Sequence, residues 1–190
     1  MSIPSERKRT TFITLTATLG ALVIVFDYSL KFSGLKIPFP FLPMLKFDFS
    51  GIPIVLALLL CGLTSGAATC IVAFLGIVAR SGDLIGASMK AVAEFSTILG
   101  MAPFFTRGRG RVGRILGTAV GVVLRALVMT GANLLILPSV YHYPSAVVAA
   151  LLLPIAGFNA VQGVISIVGG WILYEAIVWR IPSLADLRGK

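Results

Sequence analysis

Lys90 and Glu94, two charged side chains four residues apart inside an apolar stretch, are the first candidates for chemistry in this sequence. On a helix that spacing puts both on one face. An ionisable group within a hydrophobic run is expensive and faces a partner or a polar cavity. Arg125, in a later apolar run, is a third such group. Glu94 lies eight residues past Gly86, about 12 Å from the start of its helix at ~1.5 Å per residue. Arg125 lies 11 residues past Arg114, about 16 Å from the opposite side by the same rise. In an apolar layer about 30 Å thick these depths nearly coincide. Two readings stay open. Glu94 forms a structural pair with Arg125 or Lys90, or some of these groups line a polar ligand pocket.

Asn133, Asn159 and Gln162 are further polar residues in apolar runs, and Asn159 and Gln162 share a helix face one turn apart. Hydrogen bonding between helices accounts for such amides, and so does a pocket at one common depth. Asp48 precedes a helical run, as a cap or as part of the same site. Catalysis has little to work with. His142 is the single histidine, so no pair exists for zinc or for acid–base relay. The glycines of Arg107 to Gly113 alternate with arginines and lack a phosphate-loop lysine. Cys61 and Cys70 sit within apolar runs and read as small buried hydrophobes. No enzyme, metal or cofactor is expected.

The elements that position these residues follow from composition. Hydrophobic residues make up 57% and charged residues 12%, about half the ~25% charge of a soluble domain. Mean hydropathy is +1.00, and the apolar runs lack a clean polar face, so lipid is the solvent for their outer sides. The net charge of +9 lies between those runs, where a membrane protein displays cytoplasmic loops, and nucleic acid is not expected as a partner. Arg7-Lys8-Arg9 before an apolar run imitates a signal peptide. The run extends from Phe12 to Leu30, longer than the ~7–15 residues of a signal core, and reads as a retained first span.

The expected fold is all-α: one membrane domain over 1–190, a bundle of six transmembrane helices near 11–30, 51–61, 65–78, 85–105, 115–137 and 156–179. Helices 2 and 3 look short for a bilayer. Ser50 is placed to cap helix 2, with Pro53 in its first turn. Loop 1, Lys31 to Ser50, carries Pro38, Pro40 and Pro43, too many prolines for a helix. It is too apolar for a solvated linker and is expected to be structured, folding on the bundle or the membrane surface. Pro154 and Gly157 divide the last apolar block into a loop-like approach and helix 6. Ten lysines and arginines fall on the side of both termini and the 107–114 loop, against Lys31, Lys36, Lys46 and Arg80 on the other. Both termini are therefore expected in the cytoplasm of a multi-pass protein of the cell membrane. In helix 1, Ala17, Gly20 and Ala21 form a small-residue patch that permits close helix contact.

These features together resemble the substrate-binding S component of energy-coupling-factor vitamin transporters, most closely the riboflavin branch. The resemblance covers nearly the whole chain. It rests on the A-x-x-x-A step at Ala17 and Ala21, the segment from Phe41-Leu42-Pro43 through Phe47-Asp48-Phe49-Ser50-Gly51-Ile52-Pro53, Asn133 to Pro138 with Tyr141, and Phe158-Asn159-Ala-Val-Gln162-Gly163. It implies six helices with a vitamin pocket near the outer face. It also implies that helix 1 docks through Ala17, Gly20 and Ala21 on a transmembrane coupling subunit carrying two cytoplasmic ATPases, and that the S component topples to deliver its cargo. The pocket would then gather Phe41, Leu45 and Phe47 as apolar walls, with Asp48, Lys90, Glu94, Asn133, Asn159 and Gln162 as polar groups. Riboflavin-type members usually carry aspartate where Gly51 stands, asparagine where Glu94 stands and lysine where Gln162 stands. The rival reading is a membrane scaffold subunit of the same helix arrangement, its pocket collapsed and filled with apolar side chains.

Overall fold

Long apolar runs must satisfy their own backbone in lipid, and helices are the way a single segment does so. The computed structural model describes residues 5–105 and 110–187. Among them are six α-helices: α1 Ser5–Phe32, α2 Ile52–Cys61, α3 Leu63–Ser81, α4 Leu84–Phe105, α5 Gly110–Ser139 and α6 Ser145–Arg180, with a 3-10 turn Pro182–Leu187 after α6. Five are long and apolar enough to cross a membrane. The sixth, α2, has 10 residues, about 15 Å at the standard rise, about half the thickness of a bilayer's apolar core. Of the basic residues in the charge tally, Arg107, Arg109, Arg188 and Lys190 lie outside the described residues, as do the side chains of Arg7 and Lys8.

The short α2 is the hub. Pro53 stands in its first turn, and every residue from Pro53 to Cys61 is buried. Ile54, Val55, Leu58 and Leu59 meet Val23 of α1, Ala73 of α3, Ile98 and Met101 of α4, and Ile167 of α6 in one core. A helix apolar all round is one that protein surrounds. The long helices, by contrast, keep Leu127, Leu135, Leu153 and Ile172 on the outside, as lipid-facing surfaces do. Gly62, at φ 91°, ends α2 and lets α3 begin at once.

Three expected boundaries move. α3 has 19 residues and reaches a bilayer's thickness where a shorter segment was expected. α1 begins at Ser5 rather than near Thr11. The largest difference is in α6, which runs unbroken for 36 residues with Pro154 inside it. Proline deprives a helix of one hydrogen bond, yet neighbouring helices make that loss tolerable in apolar surroundings.

Loop 1 holds a two-stranded antiparallel hairpin, β1 Ile37–Phe39 and β2 Leu42–Phe47, with Ile37 opposite Phe47 and Phe39 opposite Leu42. It folds back on the helix ends. Leu42 is buried with Leu137 of α5 and with Val148 and Ile155 of α6. Phe39 and Phe47 stack on Phe158, at centroid distances of 5.3 and 4.6 Å.

Candidate functional site

The inner face of α5 is set by a repeat of four. Gly113, Gly117, Gly121, Arg125, Met129, Asn133 and Leu137 are its buried residues. Glycines occupy the half where α4 lies closest, and polar residues begin where the helices leave room. That room is a cavity of about 450 Å³. It lies where α1, α3 and α5 finish and α4 starts, beneath the hairpin, at the far end of the bundle from the start of α1 and the end of α6.

Asp48, at the end of the hairpin, organises one wall. Its carboxylate accepts hydrogen bonds from the Ser50 N–H and O–H, at 3.1 and 2.9 Å. It pairs with Lys90 of α4 and lies 3.5 Å from Lys36. Burial alone would raise its pKa, but Lys90, Lys36 and these hydrogen bonds outweigh burial and hold the carboxyl well below the usual carboxylate range. Neither Asp48 nor Ser50 caps α2, whose N-cap Gly51 has no side-chain cap bond. Gln162 of α6 grips the same residue by its main chain. Its Nε2 donates to Asp48 O at 2.7 Å and its Oε1 accepts from Asp48 N–H at 3.3 Å.

Deeper in, Glu94 and Arg125 meet, with Arg125 Nη1 3.0 Å from Glu94 Oε1. Both are buried. Arg125 also donates to Thr97 Oγ1 at 3.2 Å. Glu94 fits because Gly51 lacks a side chain: a Cβ there would stand 2.6 Å from Glu94 Oε2 and 2.3 Å from Ser166 Oγ. Asn133 and Asn159 each donate Nδ2 to the carbonyl four residues back, Met129 O at 2.8 Å and Ile155 O at 3.0 Å.

Of the residues expected at a site, Leu45, Asp48, Lys90, Glu94, Asn133, Asn159 and Gln162 all line this one cavity. Phe41 and Phe47 do not. Phe41 is 66% exposed on the hairpin turn, and Phe47 is spent on packing Phe158. Phe158 itself lines the cavity in their place. In α1, Ala17 and Ala21 are exposed, but Gly20 is buried against Val72 of α3 and is not free for a partner.

One cluster went unread in the sequence. Asp27 of α1 is buried, pairs with Lys36, and accepts from Arg80 Nε of α3 at 2.9 Å. It joins α1, loop 1 and α3 at the cavity's edge. An acid inside an apolar run, Phe26-Asp27-Tyr28, was the available signal.

Comparison with known proteins agrees with this architecture. A solved structure described as the S component of a bacterial ECF transporter superposes with a TM-score of 0.78 at 22% identity, covering 91% of this chain and 98% of that one. No curated protein matches the sequence. The family model "ECF transporter, substrate-specific component" matches residues 11–174. The chain thus belongs to the substrate-specific component family of ECF transporters, whose members are substrate-binding transport subunits rather than enzymes.

Proposed function

We propose that this protein captures a vitamin, a flavin such as riboflavin in the first instance, from outside the cell and passes it to a transmembrane coupling subunit driven by two cytoplasmic ATPases. The observation that carries the reading is the cavity. Its volume of about 450 Å³ falls within the range of small-molecule sites. It also has the mixed lining such sites use, with Leu45, Met129 and Phe158 among its apolar walls and a few placed polar groups. A scaffold subunit would have collapsed this space and filled it with apolar side chains. The exposed Ala17 and Ala21 lie on α1 before Asp27 and Lys31, its two cavity-lining residues, and line no part of the cavity themselves, so close contact with a coupling subunit there leaves the ligand undisturbed.

The test is to purify the protein without added ligand and identify what it retains by mass spectrometry, then to titrate the emptied protein with riboflavin. A retained flavin, or saturable riboflavin binding, supports the proposal. Retention of a different vitamin keeps uptake and replaces the flavin. If nothing is retained and none of the common vitamins binds, the scaffold reading takes over.

A further inference from the structure

Several buried polar groups around the cavity floor have bonding capacity that the protein leaves unused. Glu94 is 1% exposed, and neither carboxylate oxygen has a hydrogen-bond partner among the described residues. Arg125 Nη1 is near enough to Oε1 for electrostatic attraction, but its aligned bond goes to Thr97. Arg125 Nε is also buried and unpartnered. Asn133 and Asn159 have committed their nitrogens to their own helices, which leaves their oxygens as acceptors for a ligand. All four residues line the cavity and are at least nine-tenths buried. Buried polar groups are rarely left unpaired in a native protein, and each such orphan calls for a partner.

Charge narrows what that partner is. Arg125 balances Glu94, so the floor is a neutral pair and a ligand cation gains little from it. Of the remaining lining side chains five are basic and three acidic, a surplus of two positive charges that opposes a cationic ligand. A neutral N–H donor suits Glu94, and the free Arg125 Nε–H needs an acceptor close to that donor. A cyclic imide or lactam edge offers both groups side by side.

We infer that Glu94 and Arg125 together read a neutral imide or lactam edge of the substrate. Glu94 accepts the ring N–H, Arg125 Nε donates to the adjacent carbonyl, and the oxygens of Asn133 and Asn159 serve further donors. The same site rejects cationic heterocycles. This rests on the cavity being the substrate site, as proposed above.

The experiment uses the full chain in lipid nanodiscs and three probes: riboflavin, 3-methylriboflavin, whose imide N–H is blocked, and thiamine, a cationic heterocycle. Blocking a hydrogen bond that the site is built to make is expected to weaken binding at least about tenfold. Thiamine is expected not to bind at about 100 times the riboflavin Kd. In the double variant Glu94→Ala/Arg125→Ala, the ratio between riboflavin and its methyl derivative is expected to fall below about threefold, because the groups that sense the N–H are gone. Should that variant fail to fold, the wild-type ratio decides. Equal binding of the two flavins, or preference for thiamine, overturns the inference and leaves vitamin uptake standing. If riboflavin does not bind, the molecule retained in purification takes its place: one without an N–H/C=O edge overturns the inference alone. Absence of any bound vitamin removes the uptake reading and this inference with it.

Discussion

Lys90 and Glu94 share a helix face, as their spacing required, yet they serve different partners: Lys90 holds Asp48 and Glu94 meets Arg125. Depth arithmetic favoured Glu94 with Arg125, and spacing alone favoured Glu94 with Lys90. Glu94 lies beside Arg125 at a shared depth, while Lys90 is taken up by Asp48 at the end of the hairpin. The Asp27 cluster was harder to read, since its partners stand nine and 53 residues away, and only a fold brings them together. Two residue-scale outcomes follow. Asn159→Ala removes an amide oxygen that has no hydrogen-bond partner among the described residues. Loss of one buried ligand hydrogen bond costs about 1–3 kcal/mol, so ligand affinity is expected to fall roughly five- to 150-fold, read by equilibrium binding. Unchanged affinity for both Asn133→Ala and Asn159→Ala in folded protein would remove them from the site. Asp48→Asn leaves Lys90 without its counter-charge and is expected to cost about 1–3 kcal/mol of stability at neutral pH. Because the folded pKa of Asp48 lies below the unfolded ~3.9, its contribution is fully present above that value. It is lost only as pH falls through the lower folded pKa. The gap between wild type and Asp48→Asn in thermal unfolding should therefore stay constant from about pH 5 to 8 and close only below about pH 4. A gap that closes between pH 5 and 6 would mean that another group carries the effect.

Elements are legible in the sequence where hydrophobic length decides them, and less so where a helix breaker stands inside a span. Pro154 suggested a break that α6 does not make, because apolar surroundings punish an open backbone more than one missing bond. The G-x-x-x-G-x-x-x-G of Gly113, Gly117 and Gly121 was visible in the sequence and is the seam along which α5 meets α4. There Gly100 approaches so closely that a Cβ would stand 2.9 Å from both Gly121 Cα and Val120 O. Backbone on the other side cannot step aside as a side-chain tip can. Gly100→Ala is accordingly expected to force the helices apart and cost about 1–3 kcal/mol, measured as a lower melting temperature in detergent. A melting temperature within a degree of wild type would mean that the seam is looser than these distances. The outer face of α1 makes the opposite prediction. Ala17 and Ala21 touch no core, so Ala17→Trp with Ala21→Trp should leave ligand affinity within about threefold, or roughly 0.6 kcal/mol. Uptake into cells is expected to be abolished, since two indoles prevent close approach of a coupling helix. Undiminished uptake would take this face out of the transport cycle.

At the scale of the whole molecule, the two ends of the bundle differ in how their positive charge is used. At the cavity end Lys36 and Arg80 are tied to Asp27, and Lys90 to Asp48, which leaves Lys31 and Lys46 exposed without an ion pair among the described residues. The opposite end displays Arg9, Arg111 and Arg180, with Arg114 paired to Glu175 and stacked 4.7 Å over Trp171. Indole and guanidinium together are what a helix end carries at the headgroup level. Lysine and arginine set orientation by their number in short loops, so the end away from the cavity is expected inside and the cavity mouth outside. Single cysteines test this directly. Val140, between α5 and α6, is exposed at the cavity end, and Arg111 is exposed at the start of α5. The native Cys61 and Cys70 are buried and should give little background with a membrane-impermeant maleimide. Val140→Cys is expected to label on intact cells, and Arg111→Cys only after permeabilisation. The reverse pattern would put the cavity mouth in the cytoplasm, and a binding subunit oriented that way could not collect its substrate from outside.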